Sequence, residues 1–492
     1  MFSPNNNENI QECLNFISGK WEFPEEKLGQ IISPFTGQIL ANTYRSKKTS
    51  VNSAVLSASK SQQEWEKYSY RERAAIFLNY RKWLLENLID LAKIISNECG
   101  KLQNEAKDGL LKGIEILDYA ISIQNLDQLA RMTVSKGVHC EYRREPLGVV
   151  AGITPSNFPA MVPMWMFPIA IMAGNSFIWK PSEKTAMTSY YLALGFKESG
   201  LPDGVLNIIQ GDKETVDILC EHEDIKAIAF VGSTPVAKHV YTKATSTGKR
   251  ALTLGGAKNH IFLMPDAISE LAVDGILSSF TGCCGQRCMA ASVLLAIGNT
   301  QNIIDEIVSK AKNFAPGKDI GALITKQSLQ KVEKAISEAC LSKEQILVDG
   351  RNPKVEKEIS QGNWLNPTIV DHVLPNSILA KEELFAPVLS IIRCKSIEEA
   401  MHIENANPYG NAASVFTSRG DIAEFVTLNA KAGMIGVNVG IPVPREPFSF
   451  GGINHSKFGH GDITSDGGLE FWSNRKKVTT KWFQLKNQNW MS

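Results

Sequence analysis

At 492 residues, with 43% apolar and 21% charged side chains, the chain has the composition of an ordinary globular protein and the length of two or three domains. Its formal net charge of +1 gives no electrostatic reason to expect nucleic acid or an anionic membrane as a partner. The stretch Met1 to Glu8 is polar and lacks a basic segment followed by an apolar one, so a cytoplasmic location is the expectation. In chain order, an amphipathic helix is predicted from Ser69, which stands at capping-box spacing from Glu72. Ile76, Phe77, Tyr80, Trp83, Leu84 and Leu88 form its buried face. From Leu147 a regular alternation begins: a strand over 149–153, an apolar helix from Phe158 to Ala173, and a strand over 176–180. A helix through Tyr190 and Leu194 follows, ending near Gly200 and Pro202, and then strands over 205–209 and 227–231. The apolar stretch is shorter than the roughly 20 residues needed to span a bilayer and is broken by prolines, so it reads as a buried helix. Strands alternating with helices imply an α/β fold with a parallel sheet covered on both faces.

Ligands of such sheets bind beyond the carboxyl ends of the strands. The residues there are Thr154-Pro155-Ser156-Asn157, Lys180-Pro181-Ser182-Glu183 and Gly232-Ser233-Thr234. Lys180 and Glu183 can address a nucleotide ribose, and the carboxylate would repel a 2′-phosphate, which favours NAD over NADP. The Gly232-Ser233-Thr234 turn can bring pyrophosphate to backbone N–H groups at a helix start. It is not the G-x-G-x-x-G fingerprint, and each turn taken singly also reads as a surface loop or a helix cap.

Nine cysteines in such a chain argue for reduced thiols. Cys283, Cys284 and Cys288 lie close together, but their spacing fits no zinc pattern and no second Cys/His cluster follows, so no metal is expected. Cys288, in Gly285-Gln286-Arg287-Cys288-Met289-Ala290, is placed like a catalytic nucleophile; the alternative is a small core residue. Cys283 and Cys284 read as packing on a helix.

Five motifs fall in a fixed order: Ile153-Thr154-Pro155-Ser156-Asn157-Phe158-Pro159, Lys180-Pro181-Ser182-Glu183, Phe230-Val231-Gly232-Ser233-Thr234, Gly285-Gln286-Arg287-Cys288 and Glu382-Glu383-Leu384-Phe385-Ala386-Pro387-Val388. Through them the chain resembles the aldehyde dehydrogenase superfamily from near Gly19 to Trp482. Met164-Trp165-Met166-Phe167-Pro168, Gly256-Ala257-Lys258-Asn259-His260, Arg287-Cys288-Met289-Ala290 and Pro442-Val443-Pro444 make it similar to the methylmalonate-semialdehyde dehydrogenases, which acylate coenzyme A. The resemblance implies an NAD-binding domain (1–122 and 147–253), a catalytic domain (254–456) and bridging segments (123–146 and 457–492) that join subunits into a dimer or tetramer. It implies that Cys288 is the nucleophile and that Asn157, with the Cys288 N–H, forms the oxyanion hole. Thr154, Lys180, Ser182, Glu183, Gly232 and Ser233 would contact the adenosine and pyrophosphate of NAD. Glu383 would hold the nicotinamide ribose and Phe385 pack beside the ring. Lys112, Arg287 and Phe158 would meet the substrate.

Hydrolytic members carry Glu at the start of the segment matching Thr253-Leu254-Gly255-Gly256, where this chain has threonine. A hydroxyl is no effective base near neutral pH, whereas a thiol such as that of coenzyme A supplies its own thiolate. The implied reaction is therefore oxidation of a malonate- or methylmalonate-type semialdehyde to an acyl-CoA, with loss of carbon dioxide. A hydrolytic dehydrogenase using another base, Asp266 or Glu383 among them, is the nearest rival, and an inactive nucleotide-binding relic a more distant one. Two departures from the branch concern the substrate: Lys112 stands where Arg is usual, and Gln286 where Glu is usual. Lysine keeps the charge but lacks the bidentate fork that fits a carboxylate.

Overall fold

The structure, a computed structural model, describes residues 10–126, 131–340 and 344–482. Two large sheets organise it. The first has eight strands in the order Lys457–Phe458, Arg250–Leu254, Ile225–Val231, Val149–Ile153, Ser176–Lys180, Leu206–Ile208, Asn15–Ile17 and Lys20–Glu22. Its five central strands are parallel, and antiparallel strands close both edges. The expected strands are all present, with ends shifted by a residue or two. Because side chains alternate across a sheet, Phe177 and Trp179 face one helical layer while Ile178 and Val149 face the other. Each such buried side chain contributes roughly 1.5–3 kcal/mol.

The expected capping box is formed: Ser69 accepts from the Glu72 N–H, and Glu72 accepts from the Ser69 N–H at 2.7 Å. Phe77, Tyr80, Trp83 and Leu84 are buried as expected. Leu88 is not on that helix, which ends at Glu86; Asn87 breaks it and Leu88 opens the next. The apolar stretch forms a buried helix, Met161–Met172, beginning three residues later than Phe158 because Asn157 and Phe158 belong to the turn at the strand end. Among the described residues no helix is long and apolar enough to cross a membrane.

The second sheet has seven strands, in the order Gln345–Val348, Thr368–Asp371, Val388–Cys394, Ala291–Ile297, Asn259–Leu263, Ala412–Phe416 and Met434–Val437. A third sheet joins Ser473–Lys481 to the hairpin Arg131–Ser135 and Val138–Pro146. The third sheet takes up part of the segments 123–146 and 457–492. Residues 123–126 end the long helix Gln103–Leu126, and 127–130 and 483–492 lie outside the described residues. Lys457–Phe458 pairs with Arg250–Leu254 in the first sheet, and the helix Ser465–Phe471 sends Leu469 and Phe471 into that sheet's core. Among the described residues of 457–492, Ser473–Lys481 alone pairs with the hairpin.

Candidate active site

The parallel registers Ile153↔Lys180 and Phe230↔Ile153 bring the carboxyl ends of three strands side by side. Thr154, Lys180, Ser182, Glu183, Gly232 and Ser233 therefore share one edge. Trp179 Nε1 donates to the Thr154 hydroxyl at 2.8 Å, which fixes that turn from below. The buried Lys180 ammonium lies 3.2 Å from Glu183 Oε2. Burial pulls the lysine pKa down, and Glu183 opposes it. Ser182 Oγ accepts from the Lys184 N–H. Ser233 precedes the helix Thr234–Ser246 without a side-chain bond to it, and Pro235 sits in the first turn. A lysine donor and a glutamate acceptor on one strand end, beside a helix start whose N–H groups point outward, fit a dinucleotide.

Cys288 follows the turn Gly282–Gly285, where Cys283 and Cys284 adopt left-handed φ of 52° and 53°. The two cysteines thus lie in a strained turn and not, as expected, on the helix before it. Gly285 has φ +68°, and a Cβ there would sit 2.2 Å from the Ala386 carbonyl carbon, so glycine is required for both reasons. This contact brings the 382–388 loop, with Glu383 and Phe385, against the cysteine turn. Phe385 itself holds φ 55°.

Two carboxamides converge on the Cys288 carbonyl: Asn259 Nδ2 donates to it at 2.9 Å and Asn411 Nδ2 at 2.8 Å. Asn259 also donates to the Ala290 carbonyl at 3.0 Å. Asn157 Nδ2 donates to the Gln286 carbonyl at 2.9 Å, so one N–H is anchored and the other has no partner among the described residues. Its main chain is anchored too, because the buried Lys101 ammonium donates to the Asn157 carbonyl at 2.6 Å and lies 3.6 Å over the Phe158 ring. Gln286 is held in turn, accepting from the Ile324 N–H and donating to the Ala322 carbonyl. Sequence reading missed Lys101, Asn259 and Asn411 as site residues. Asn259 lay inside a quoted motif, but nothing local marks Lys101 or Asn411.

Burial pushes the Cys288 thiol up to about 12, with the Glu383 carboxylate adding to the rise; two backbone N–H groups and Arg287 act the other way. Burial also raises Glu383 to about 7, against the Ala257 N–H that it accepts at 3.1 Å and the charge of Lys258. Lys258, donating to the Glu382 carbonyl at 2.8 Å, is lowered by burial to about 7.

The family model described as aldehyde dehydrogenase family matches residues 21–478. The chain belongs to the aldehyde dehydrogenase family. It is 38% identical to malonate-semialdehyde dehydrogenase 2 of Geobacillus kaustophilus (strain HTA426), over 96% of this chain and 99% of that protein. It is 37% identical, over 95% of this chain and 90% of the relative, to a mitochondrial protein of Dictyostelium discoideum assigned, as a candidate, to the acylating methylmalonate-semialdehyde/malonate-semialdehyde dehydrogenases. Its fold matches the methylmalonate-semialdehyde dehydrogenase of Oceanimonas doudoroffii with a TM-score of 0.94 at 35% identity, covering 96% of this chain and 99% of that one. A Sinorhizobium meliloti 1021 candidate of the same description, solved with NAD, matches with a TM-score of 0.95 at 35% identity, covering 98% of this chain and all of the other.

Four residues singled out in the sequence have side chains already engaged within the protein. Thr253 is fully buried and donates its hydroxyl to the Ala237 carbonyl at 2.9 Å, so it faces a helix and not the thiol. Asp266 accepts from Thr417 and Ser418 beyond the far end of its strand, away from Cys288. Arg287 does not turn freely toward a substrate: Nε meets Cys283 Sγ at 3.3 Å, Nη1 the Ser278 carbonyl at 3.4 Å, and Nη2 lies 3.7 Å from Glu105. Lys112 lies on the helix that packs over Phe158, and its ammonium meets Glu115 at 2.8 Å and Glu446 at 3.2 Å.

Proposed function

We propose that this protein catalyses the NAD-dependent, coenzyme A-acylating oxidation of a malonate- or methylmalonate-type semialdehyde, with loss of carbon dioxide, through a thioester on Cys288. The observation that carries the reading is the clamp around the nucleophile: Asn259 and Asn411 hold its carbonyl while Asn157 is anchored through Gln286 with one N–H to spare. A thiol held by its main chain at the meeting of two sheets, beside a positioned amide donor, is an arrangement for attack on a carbonyl.

The Cys288 thiol gives its proton to solvent, the two backbone N–H groups and Arg287 favouring the thiolate against burial, and Sγ attacks the aldehyde carbon; the resulting oxyanion accepts from the free Asn157 N–H and the Cys288 N–H. Lys180, Glu183 and Ser233 would hold NAD at the adenosine and pyrophosphate and Glu383 at the second ribose, and NAD would supply the hydride acceptor. With the hydride gone, Cys288 carries a thioester. The thiolate of coenzyme A attacks that carbonyl, Asn157 again receives the oxyanion, and the Cys288 thiolate leaves. Decarboxylation gives acetyl-CoA or propanoyl-CoA. The absence of a carboxylate from Thr253 to Asn259 supports thiolysis over hydrolysis. The relatives named above support the substrate type and the acylating outcome. We place the protein in the cytoplasm as a dimer or tetramer, joined through the sheet that contains Ser473–Lys481.

Hydrolysis has one observation in its favour: Glu383, near 7 and within electrostatic reach of Cys288, has the pKa of a general base. The test is NADH formation from malonate semialdehyde with and without coenzyme A, with the acyl product identified by mass. Steady turnover only with coenzyme A, yielding acetyl-CoA, is expected. Equal turnover without it, yielding free acid, makes the protein a hydrolytic dehydrogenase with Glu383 as its base.

A further inference from the structure

The helix Gln103–Leu126 lies over the proposed site. A Cβ at Gly109 would stand 3.6 Å from the Phe158 ring, and one at Gly113 would stand 2.8 Å from Met164 Sδ. Lys112 occupies the turn between those close approaches. Its ammonium is bracketed by Glu115, one turn along the same helix and 44% exposed, and by Glu446, which arrives from the 441–450 loop and is only 16% exposed. The two acids differ in kind. Glu115 is a solvated helix neighbour whose attraction is largely screened. Glu446 brings a sheltered carboxylate from elsewhere in the chain to the lysine on the turn between Phe158 and Met164. The other cation expected near the substrate, Arg287, already faces Glu105 and Asp108. Two cations therefore stand among four acids, and an anionic substrate tail approaching Lys112 would compete with Glu446 for an ammonium that already faces two carboxylates.

We propose that Glu446 is a specificity-determining residue: its carboxylate takes the place on Lys112 that an anionic tail of the aldehyde would occupy, and so shifts preference toward aldehydes with uncharged tails. The proposal rests on the reading of the protein as an acylating semialdehyde dehydrogenase in which Lys112 faces the substrate tail. In this arrangement malonate semialdehyde and propanal are closer competitors than a free cation at position 112 would allow. Specificity is a difference between two affinities, and an internal anion lowers only the affinity that depends on the cation.

The test compares kcat/KM for malonate semialdehyde and for propanal, with saturating NAD and coenzyme A, in the wild type, Glu446→Gln, Lys112→Met and the double variant. Glu446→Gln keeps size and hydrogen bonding while removing the charge. The expected result is a rise of about fivefold in the malonate semialdehyde to propanal ratio, the scale of one partly screened charge contact. In the Lys112→Met background the same substitution is expected to leave the ratio unchanged, because its effect passes through the ammonium. An unchanged or lowered ratio in Glu446→Gln, or an equal rise with and without Lys112, overturns the proposal while leaving the wild type's acylating activity standing. NADH from neither aldehyde in the wild type overturns the functional reading and this proposal together. A Glu446→Gln chain too unstable to assay is replaced by Lys112→Arg: a fork able to hold Glu446 and a substrate carboxylate at once raises the ratio, and no rise counts against the competition.

Discussion

Lys101 lies two residues before the helix Gln103–Leu126 and Lys112 lies within it, yet their surroundings are opposite. Lys101 is buried against a carbonyl and an aromatic face, and among the described residues no carboxylate pairs with it. Lys112 is partly open and lies between two carboxylates. A positive charge left uncancelled in a dry setting acts on its neighbourhood strongly, whereas one bracketed by acids is nearly neutral to anything arriving from outside. The uncancelled charge lies behind Asn157, where negative charge would develop on the substrate oxygen. The cancelled charge lies by Phe158 and Met164, where the rest of the substrate would pass. The difference assigns preorganisation to one end of the segment and adjustable selectivity to the other.

The largest blow to the first region is removal of the donor itself. Asn157→Ala should lower kcat by about 10²–10³, with a smaller change in the NAD Michaelis constant, as loss of one oxyanion donor does elsewhere. Single-turnover NADH formation checks it, and a drop below tenfold would remove Asn157 from the chemistry. Lys101→Met comes next. It deletes the bond that fixes the Asn157 main chain, and kcat should fall toward the roughly 100-fold that a misplacement of about 1 Å costs. The infrared carbonyl band of the acyl-enzyme should also move to higher frequency as the oxyanion hole loosens. Loss of folded protein without either kinetic or spectral change in the surviving fraction would make Lys101 merely structural.

A third prediction concerns the carboxylate between the nucleophile and the proposed nucleotide site. Glu383 is raised from its ordinary 4.5 to about 7, so in the folded protein it is protonated below about 7 and ionised above. Ribose hydroxyls donate to the ionised form, and NAD should therefore bind more tightly as pH rises through about 7. Because the folded pKa exceeds the unfolded one, the group's contribution to stability runs the other way: it is present below 4.5 and lost as pH rises through about 7. Glu383→Gln should weaken NAD binding about tenfold and flatten both dependences. Titration calorimetry at several pH values separates this from the Lys258 ionisation, which shares the range.

Much of the first sheet was legible in the sequence because its strands at 149, 176 and 227 are continuous apolar runs between turn residues, which is what burial on both faces demands. The edge strands Lys20–Glu22 and Lys457–Phe458 were not, since two or three residues carry no period and owe their shape to the partner strand. The site divides the same way. Cys288, Asn157 and Glu383 stood in motifs. Glu446 could not be read, because its partner lies 334 residues away and only the fold brings them together. Lys101 looked like any surface lysine until the structure buried it. Thr253 was legible as a missing carboxylate, but its turn toward Ala237 was not.

The smallest effect supplies the control that the comparison needs. Ser69→Ala removes the cap of the helix Tyr70–Glu86, which packs against the same helical layer as the Lys101 segment; the bonded partners of the two lysines, Asn157, Glu115 and Glu446, all lie outside it. It should cost about 1 kcal/mol of stability, visible as an earlier unfolding transition in urea. It should leave kcat, the malonate semialdehyde to propanal ratio and the NAD pH profile as they are. If stability alone governed the active site, Ser69→Ala would reproduce a diluted version of Lys101→Met, with kcat falling in proportion to the lost stability. If placement governs it, the two variants part company: one loses stability without rate, the other loses rate in protein that remains folded. The same control bears on Glu446→Gln, since a loosened layer would lower the turnover of both aldehydes together and could not raise one relative to the other.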